Sequence, residues 1–185
     1  MKLTDMREKN KTLSVTKNIA LVGMMAATLE CAKLALAVLP NIEAVSLLIA
    51  LYSFVFGWAG IVAAVIFVCI EPLIWGFGTW FVSYLIYWPA LAIVFFILGR
   101  LRIKNRFILT ALAVSMTFLF GILTSLVDIG LFSGSFDNFL YRLGVYYARG
   151  IVFYAVHIVS NLLIFLLVFT PLEKMLEAVK KRAIK

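Results

Sequence analysis

Long apolar runs with almost no formal charge, separated by short polar or glycine-bearing segments, dominate the chain. Residues 19–39 are broken only by Glu30 and Lys33, residues 107–127 carry no formal charge, and residues 150–170 carry only His157. Residues 44–99 contain a single formal charge, Glu71. That stretch is too long for two membrane-crossing helices of about 20 residues each. It is divided by two turn signals, Gly57-Trp58-Ala59-Gly60 and Gly76-Phe77-Gly78-Thr79, whose glycines let a chain reverse within a few residues. A helix satisfies its backbone hydrogen bonds internally, as lipid requires. The pattern therefore predicts six transmembrane helices, near 19–39, 44–56, 59–76, 80–99, 107–131 and 150–170, in one all-α membrane domain covering 1–185.

Composition agrees. Of the 185 residues 64% are apolar and 14% charged, with a mean hydropathy of +1.08, against about 45–50% and 25% in soluble domains. No separate soluble domain fits beside the bundle, so function is expected within the membrane. The net charge of +8 would suggest nucleic acid in a soluble protein, but its distribution excludes that partner. Lys2, Arg7, Lys9, Lys11 and Lys17 precede the first span; Arg100, Arg102, Lys104 and Arg106 fill the fourth loop; Lys174, Lys180, Lys181, Arg182 and Lys185 follow the last span. With six spans all of these fall on one side, which the positive-inside rule makes cytoplasmic, together with both termini. Five spans would leave the fourth loop and the C-terminus outside. The polar first 18 residues lack the apolar stretch of a signal peptide, so the first run is expected to be retained. Cys31 and Cys69 have no metal or disulfide spacing and read as small hydrophobes.

The remaining charges converge. On this topology the outer loops are 40–43, 76–79 and 132–139, and Glu30, Lys33, Glu71, Asp128 and Arg149 lie at similar depth beneath them. An intramembrane charge costs at least about 2.5–3.5 kcal/mol on insertion scales, so such groups should face one another or a watered cavity. Arg142, Tyr146, Arg149, Phe153, His157 and Asn161 recur at steps of three and four and so share a helix face. Aromatic residues crowd the third loop, among them Trp75, Trp80 and Tyr84, partly as an interfacial belt. The expected substrate-binding set is Glu30, Lys33, Asn41, Glu43, Glu71, Trp75, Trp80, Tyr84, Asp128, Arg142, Tyr146, Arg149, His157 and Asn161. Plainer roles compete: an i,i+3 ion pair for Glu30 and Lys33, a backbone partner at Pro72 for Glu71, turn and cap chemistry for Asn41 and Glu43, and a hydrogen-bonded core position for His157. In the first span Ala20, Gly23 and Ala27 form a small-residue stripe, suited to close helix approach either inside the bundle or against a partner.

No HExxH, GxSxG, P-loop or GxGxxG occurs, so neither a catalytic centre, a metal site nor ATP hydrolysis is expected in this chain. An integral membrane enzyme would need a recognisable spacing of acids or a nucleophile. A structural or assembly subunit would tolerate neutral residues in place of the intramembrane charges.

Taken over nearly its whole length, the chain resembles the substrate-binding S components of bacterial energy-coupling factor (ECF) vitamin transporters. Six spans, cytoplasmic ends, a basic fourth loop and a first span opening Ala20-Leu-Val-Gly23-Met-Met-Ala26-Ala27 carry the resemblance. Gly23 and Ala27 supply the four-residue spacing of that family's Ala-xxx-Ala-like docking motif, whereas Ala20 is followed four residues later by Met24. The resemblance implies a vitamin as cargo with no bound cofactor, residence in the bacterial plasma membrane, and partnership with a transmembrane T component and two cytoplasmic ATPases. Leu39-Pro-Asn-Ile-Glu-Ala-Val-Ser-Leu-Leu48 and Glu71-Pro-Leu-Ile-Trp-Gly-Phe-Gly-Thr-Trp80 look most like the cobalamin branch. Folate, riboflavin, pantothenate and thiamine remain open.

Overall fold

The computed structural model describes residues 3–39, 42–132 and 137–183. Among them the chain forms seven helices and no strand: α1 (Leu3–Leu36), α2 (Val45–Phe56), α3 (Trp58–Trp75), α4 (Thr79–Arg100), α5 (Arg106–Phe132), α6 (Phe139–Arg149) and α7 (Ile151–Ala183). Five of these, α1 from Val15 onward, α3, α4, α5 and α7, are long and apolar enough to cross a membrane. The chain is thus a multi-pass all-helical membrane protein.

The expected second span is the exception. At 12 residues α2 is about 18 Å long, well short of a hydrocarbon core of about 30 Å. Its sequence VSLLIALYSFVF is apolar all round, which marks a helix sheathed by others. It packs against α4, α3, α7 and α1, and every residue from Val45 to Val55 except Leu48 is buried. Being enclosed, it need not reach both lipid interfaces.

Two glycines make the α2–α3 and α3–α4 reversals possible, since Gly57 (φ +69°) and Gly76 (φ +79°) adopt conformations that side chains resist. Close approach needs two more. A Cβ on Gly60 would lie 2.3 Å from the Ser53 nitrogen, and one on Gly99 would lie 2.4 Å from the Phe54 carbonyl oxygen. Both clashes are with the α2 backbone, which cannot rotate away as a side chain would. Gly60→Ala and Gly99→Ala are each expected to cost about 1–3 kcal/mol by overpacking, read as an earlier midpoint of denaturation in detergent. Gly130→Ala, with nothing within 4 Å of its Cβ, should cause no loss.

The lower half of the bundle, nearest the α2–α3 turn, is filled by aromatic rings. Phe165 and Phe169 stack at 5.7 Å, with Phe95 5.6 Å from Phe165 and Phe54 edge-on to Phe169 at 5.6 Å. The upper half, toward the α3–α4 turn and α6, is less completely filled. The last expected span begins where α7 does, but the single helix face expected through residues 142–161 is divided, because α6 ends at Arg149 and α7 begins at Ile151. Gly150 sits near φ −94°, ψ 1°, and the Tyr154 ring lies so close over it that a Cβ would come within 2.5 Å.

Candidate ligand-binding cavity

The unfilled space in the upper half is a cavity of about 530 Å³ between α1, α3, α4, α5 and α7. Its walls are chiefly aromatic: Phe67 and Trp75 from α3, Trp80, Tyr84 and Trp88 from α4, Phe120 from α5, and Phe153 and Tyr154 from α7. The α4 rings form a ladder, Tyr84 lying edge-on to Trp80 at 5.1 Å and to Trp88 at 5.5 Å. Spacing four residues apart on one helix face dictates this.

Lys33 is the cation of the cavity. Its ammonium is ion-paired with the Glu71 carboxylate, which is fully buried behind it. It also sits 5.3, 5.5 and 5.9 Å from the ring centroids of Tyr84, Trp75 and Phe67, within range of cation–π attraction. Glu71 thus pairs across helices. This displaces both simpler roles, the i,i+3 pair of Lys33 with Glu30 and the backbone partner at Pro72. Glu30, one turn earlier on α1, is buried and near enough to interact electrostatically with Lys33 and Glu71.

At the rim, Glu43 does two jobs. One carboxylate oxygen accepts the Ser46 backbone N–H at 2.8 Å, capping the start of α2, and the other lies 3.0 Å from His157 Nε2 on α7. Burial would raise the Glu43 carboxyl, but the His157 and Ser46 hydrogen bonds outweigh it and hold the group below the usual carboxylate range. His157 is accordingly a hydrogen-bonded wall residue, with Phe120 and Phe153 edge-on to its ring. No group of three or more His, Cys, Asp or Glu that could hold a metal gathers among the described residues.

Of the fourteen residues anticipated for the site, Lys33, Glu43, Trp75, Trp80, Tyr84 and His157 line the cavity. Glu30 and Glu71 stand behind its wall. Asn161 lies deeper, fully buried, with its amide donating to Thr117 Oγ1 at 2.9 Å and joining α7 to α5. Asp128 is one turn past Thr124, the last α5 residue on the wall. Arg142, Tyr146 and Arg149 belong to α6, which has no buried residue, and the Arg149 guanidinium rests 5.6 Å over the Tyr146 ring. They do not continue the α7 face because the helix breaks at Gly150. Asn41 lies outside the described residues.

Several wall residues escaped the charge-based reading. Thr124 and Tyr154 share a hydrogen bond of 3.0 Å across the α5–α7 side, and Phe67 and Phe120 add to the aromatic lining beside Phe153, which stands on the helix face that carries His157. A signal existed: Thr110, Thr117 and Thr124 recur every seven residues in a span whose other polar residues, Ser115, Ser125 and Asp128, do not share that spacing, and so mark its inward face.

Chemically, the arrangement offers flat aromatic surfaces, one ammonium and a carboxylate–imidazole pair at the rim, a composition suited to binding a small polar-edged molecule. Comparison of the chain with protein-family models, with curated proteins and with solved structures finds no match in any of the three.

Proposed function

We propose that this protein is the substrate-binding S component of an ECF-type vitamin importer in a bacterial plasma membrane. In this reading the chain crosses the membrane six times, α2 making one short crossing inside the bundle, and both termini are cytoplasmic. The cavity faces outside, and ATP is hydrolysed by two partner ATPases coupled through a T component. The observation that carries the reading is the cavity itself. It is about 530 Å³, aromatic, holds the intramembrane Lys33, and lies at the end opposite the basic fourth loop and the C-terminal turns of α7. A lysine kept among apolar helices marks a binding or transport path by default.

Cobalamin is the cargo favoured by the sequence resemblance. The cavity favours a second, smaller cargo. Pockets of about 300–1,000 Å³ enclose drug-sized ligands, and cobalamin, with its macrocycle and nucleotide tail, would leave much of itself outside. A planar heteroaromatic vitamin such as riboflavin would stack on Trp80 and Tyr84 within it. The test is a thermal-shift and calorimetric screen of the purified chain against cobalamin, riboflavin, folate, thiamine, biotin and pantothenate. One of them at 100 times its dissociation constant should stabilise the fold by about 2.7 kcal/mol, and Tyr84→Ala should remove the shift. Silence across all six would reject these vitamins as cargo. A hit that survives Tyr84→Ala would place binding elsewhere.

A further inference from the structure

The lower end of the bundle contains a second cavity, of about 860 Å³, enclosed by the α2–α3 turn, the end of α4 with its following loop, and the last turns of α7. Arg100, Arg102, Lys104, Lys180 and Lys181 line it, with Glu177 as the one acid. Topogenic demand accounts for the sign of these charges, but not for their convergence on one hollow from segments about 80 positions apart.

Two of the cations are already committed. The Lys104 ammonium binds Glu173 at 2.6 Å and Glu177 at 2.9 Å, tying the α4–α5 loop to α7, and these carboxylates raise its pKa. Lys180 donates to the Val55 carbonyl at the end of α2. Arg100, Arg102 and Lys181 form no ion pair among the described residues, although Lys181 stands near enough to Glu177 to attract its carboxylate, and Lys180, bonded to a neutral carbonyl, keeps its full charge. The Arg100 guanidinium lies 5.3 Å over the Phe96 ring, which orients it, and Arg102 has no acidic partner among the described residues.

Arg102 is the informative residue. The N–H groups of Arg102 and Ile103 bond back to the carbonyls of Gly99 (3.2 Å) and Leu98 (3.0 Å). That is the Schellman pattern, in which the left-handed residue is usually glycine. Here it is arginine at φ 56°. A side chain at such a position costs free energy that glycine would not, so a guanidinium held there calls for a compensating role. The first turn of α3 opens on the same hollow through Gly57 and Trp58 and has no side-chain cap. The C-terminal ends of α2 and α4 line the hollow as well and oppose that positive helix end, so the hollow's positive field is carried by the side chains. Trp58, which lines the hollow, is 64% exposed, as is Leu101, which stands between Arg100 and Arg102 in the chain, so exposed apolar side chains accompany the polar, anion-seeking interior.

We infer that this cavity binds a phosphate ester, with Arg100, Arg102 and Lys181 supplying charge-assisted hydrogen bonds, and that the exposed apolar side chains beside it suit the headgroup of an acidic phospholipid in the adjoining leaflet. Arginine's planar fork matches phosphate oxygens two at a time. The site is independent of the aromatic cavity and of what that cavity carries.

The experiment uses the full chain in phosphatidylcholine nanodiscs and follows quenching of Trp58 by brominated phosphatidylglycerol, with Trp58→Phe as the blank. A parallel arm adds inorganic phosphate and records the thermal midpoint. Saturable quenching that weakens with salt is expected, and Arg102→Gly should lower the apparent affinity at least tenfold while folding at least as well as the parent in phosphatidylcholine alone. Lys174→Gln, which removes a neighbouring charge outside the cavity, should leave the affinity unchanged. Competition by phosphate alone would identify the free anion as sufficient; its failure to compete would assign the site to lipid. Equal affinity in the parent and Arg102→Gly, or equal losses in Arg102→Gly and Lys174→Gln, would overturn the proposal.

Discussion

Replacing Lys33 by methionine is expected to destabilise the fold by about 3–5 kcal/mol, the cost of stranding one partner of a buried ion pair. Glu71 is fully buried, its second carboxylate oxygen has no hydrogen-bond partner, and Glu30 adds a second acid on the same side. Without the ammonium no cation among the described residues forms an ion pair with Glu71. Methionine keeps the apolar stem that packs among Phe67, Trp75 and Tyr84, so lost packing contributes little. The pairing also dictates its own rescue. Lys33→Met/Glu71→Gln removes both charges and should recover most of the loss, because replacing a buried pair is far cheaper than breaking it. Detergent denaturation followed by circular dichroism would measure both. A single variant as stable as the double would mean that Glu71 carries no charge needing compensation. The double variant, folded but lacking the cavity's ammonium, then isolates the contribution of Lys33 to cargo affinity from its contribution to stability.

The same residue shows what sequence alone could and could not carry. That Lys33 and Glu71 must be satisfied was legible, because isolated charges in apolar runs stand out at once. Their partnership was not. The local candidate, Glu30 at i,i+3, is visible in the string, whereas the partner actually used is 38 residues away and brought close only by the packing of α1 on α3. Spans α3, α4 and α5 were likewise legible, since their ends coincide with glycine turns or charge clusters. The α6–α7 break was not, because residues 142–161 keep an unbroken helical period through Gly150. Gly150 lies beneath the Tyr154 ring four residues further on, so the period in the string runs on across a residue at which the helix breaks. The lower cavity was hidden differently. Its cations served fully as topological signals, and only the left-handed backbone at Arg102 distinguishes them from ordinary interfacial charge.

The outward face of α1 yields the other large effect. Ala20, Gly23 and Ala27 are all exposed, and a Cβ on Gly23 would meet nothing within 4 Å. The stripe therefore does not serve packing inside the bundle, unlike Gly60 and Gly99. In lipid, a small-residue stripe gains little by facing acyl chains and much by letting another helix approach closely. On the proposed function that helix belongs to the T component. Gly23→Leu and Ala27→Leu are each expected to abolish co-purification with the T component while leaving the thermal midpoint and cargo affinity of the isolated chain intact. The bulk is added where the fold has space and only a partner would meet it. Retained assembly in both variants would free this face from docking. Loss of cargo binding along with assembly would show that α1 communicates with Lys33, two to three turns further along the same helix, rather than acting as a passive surface.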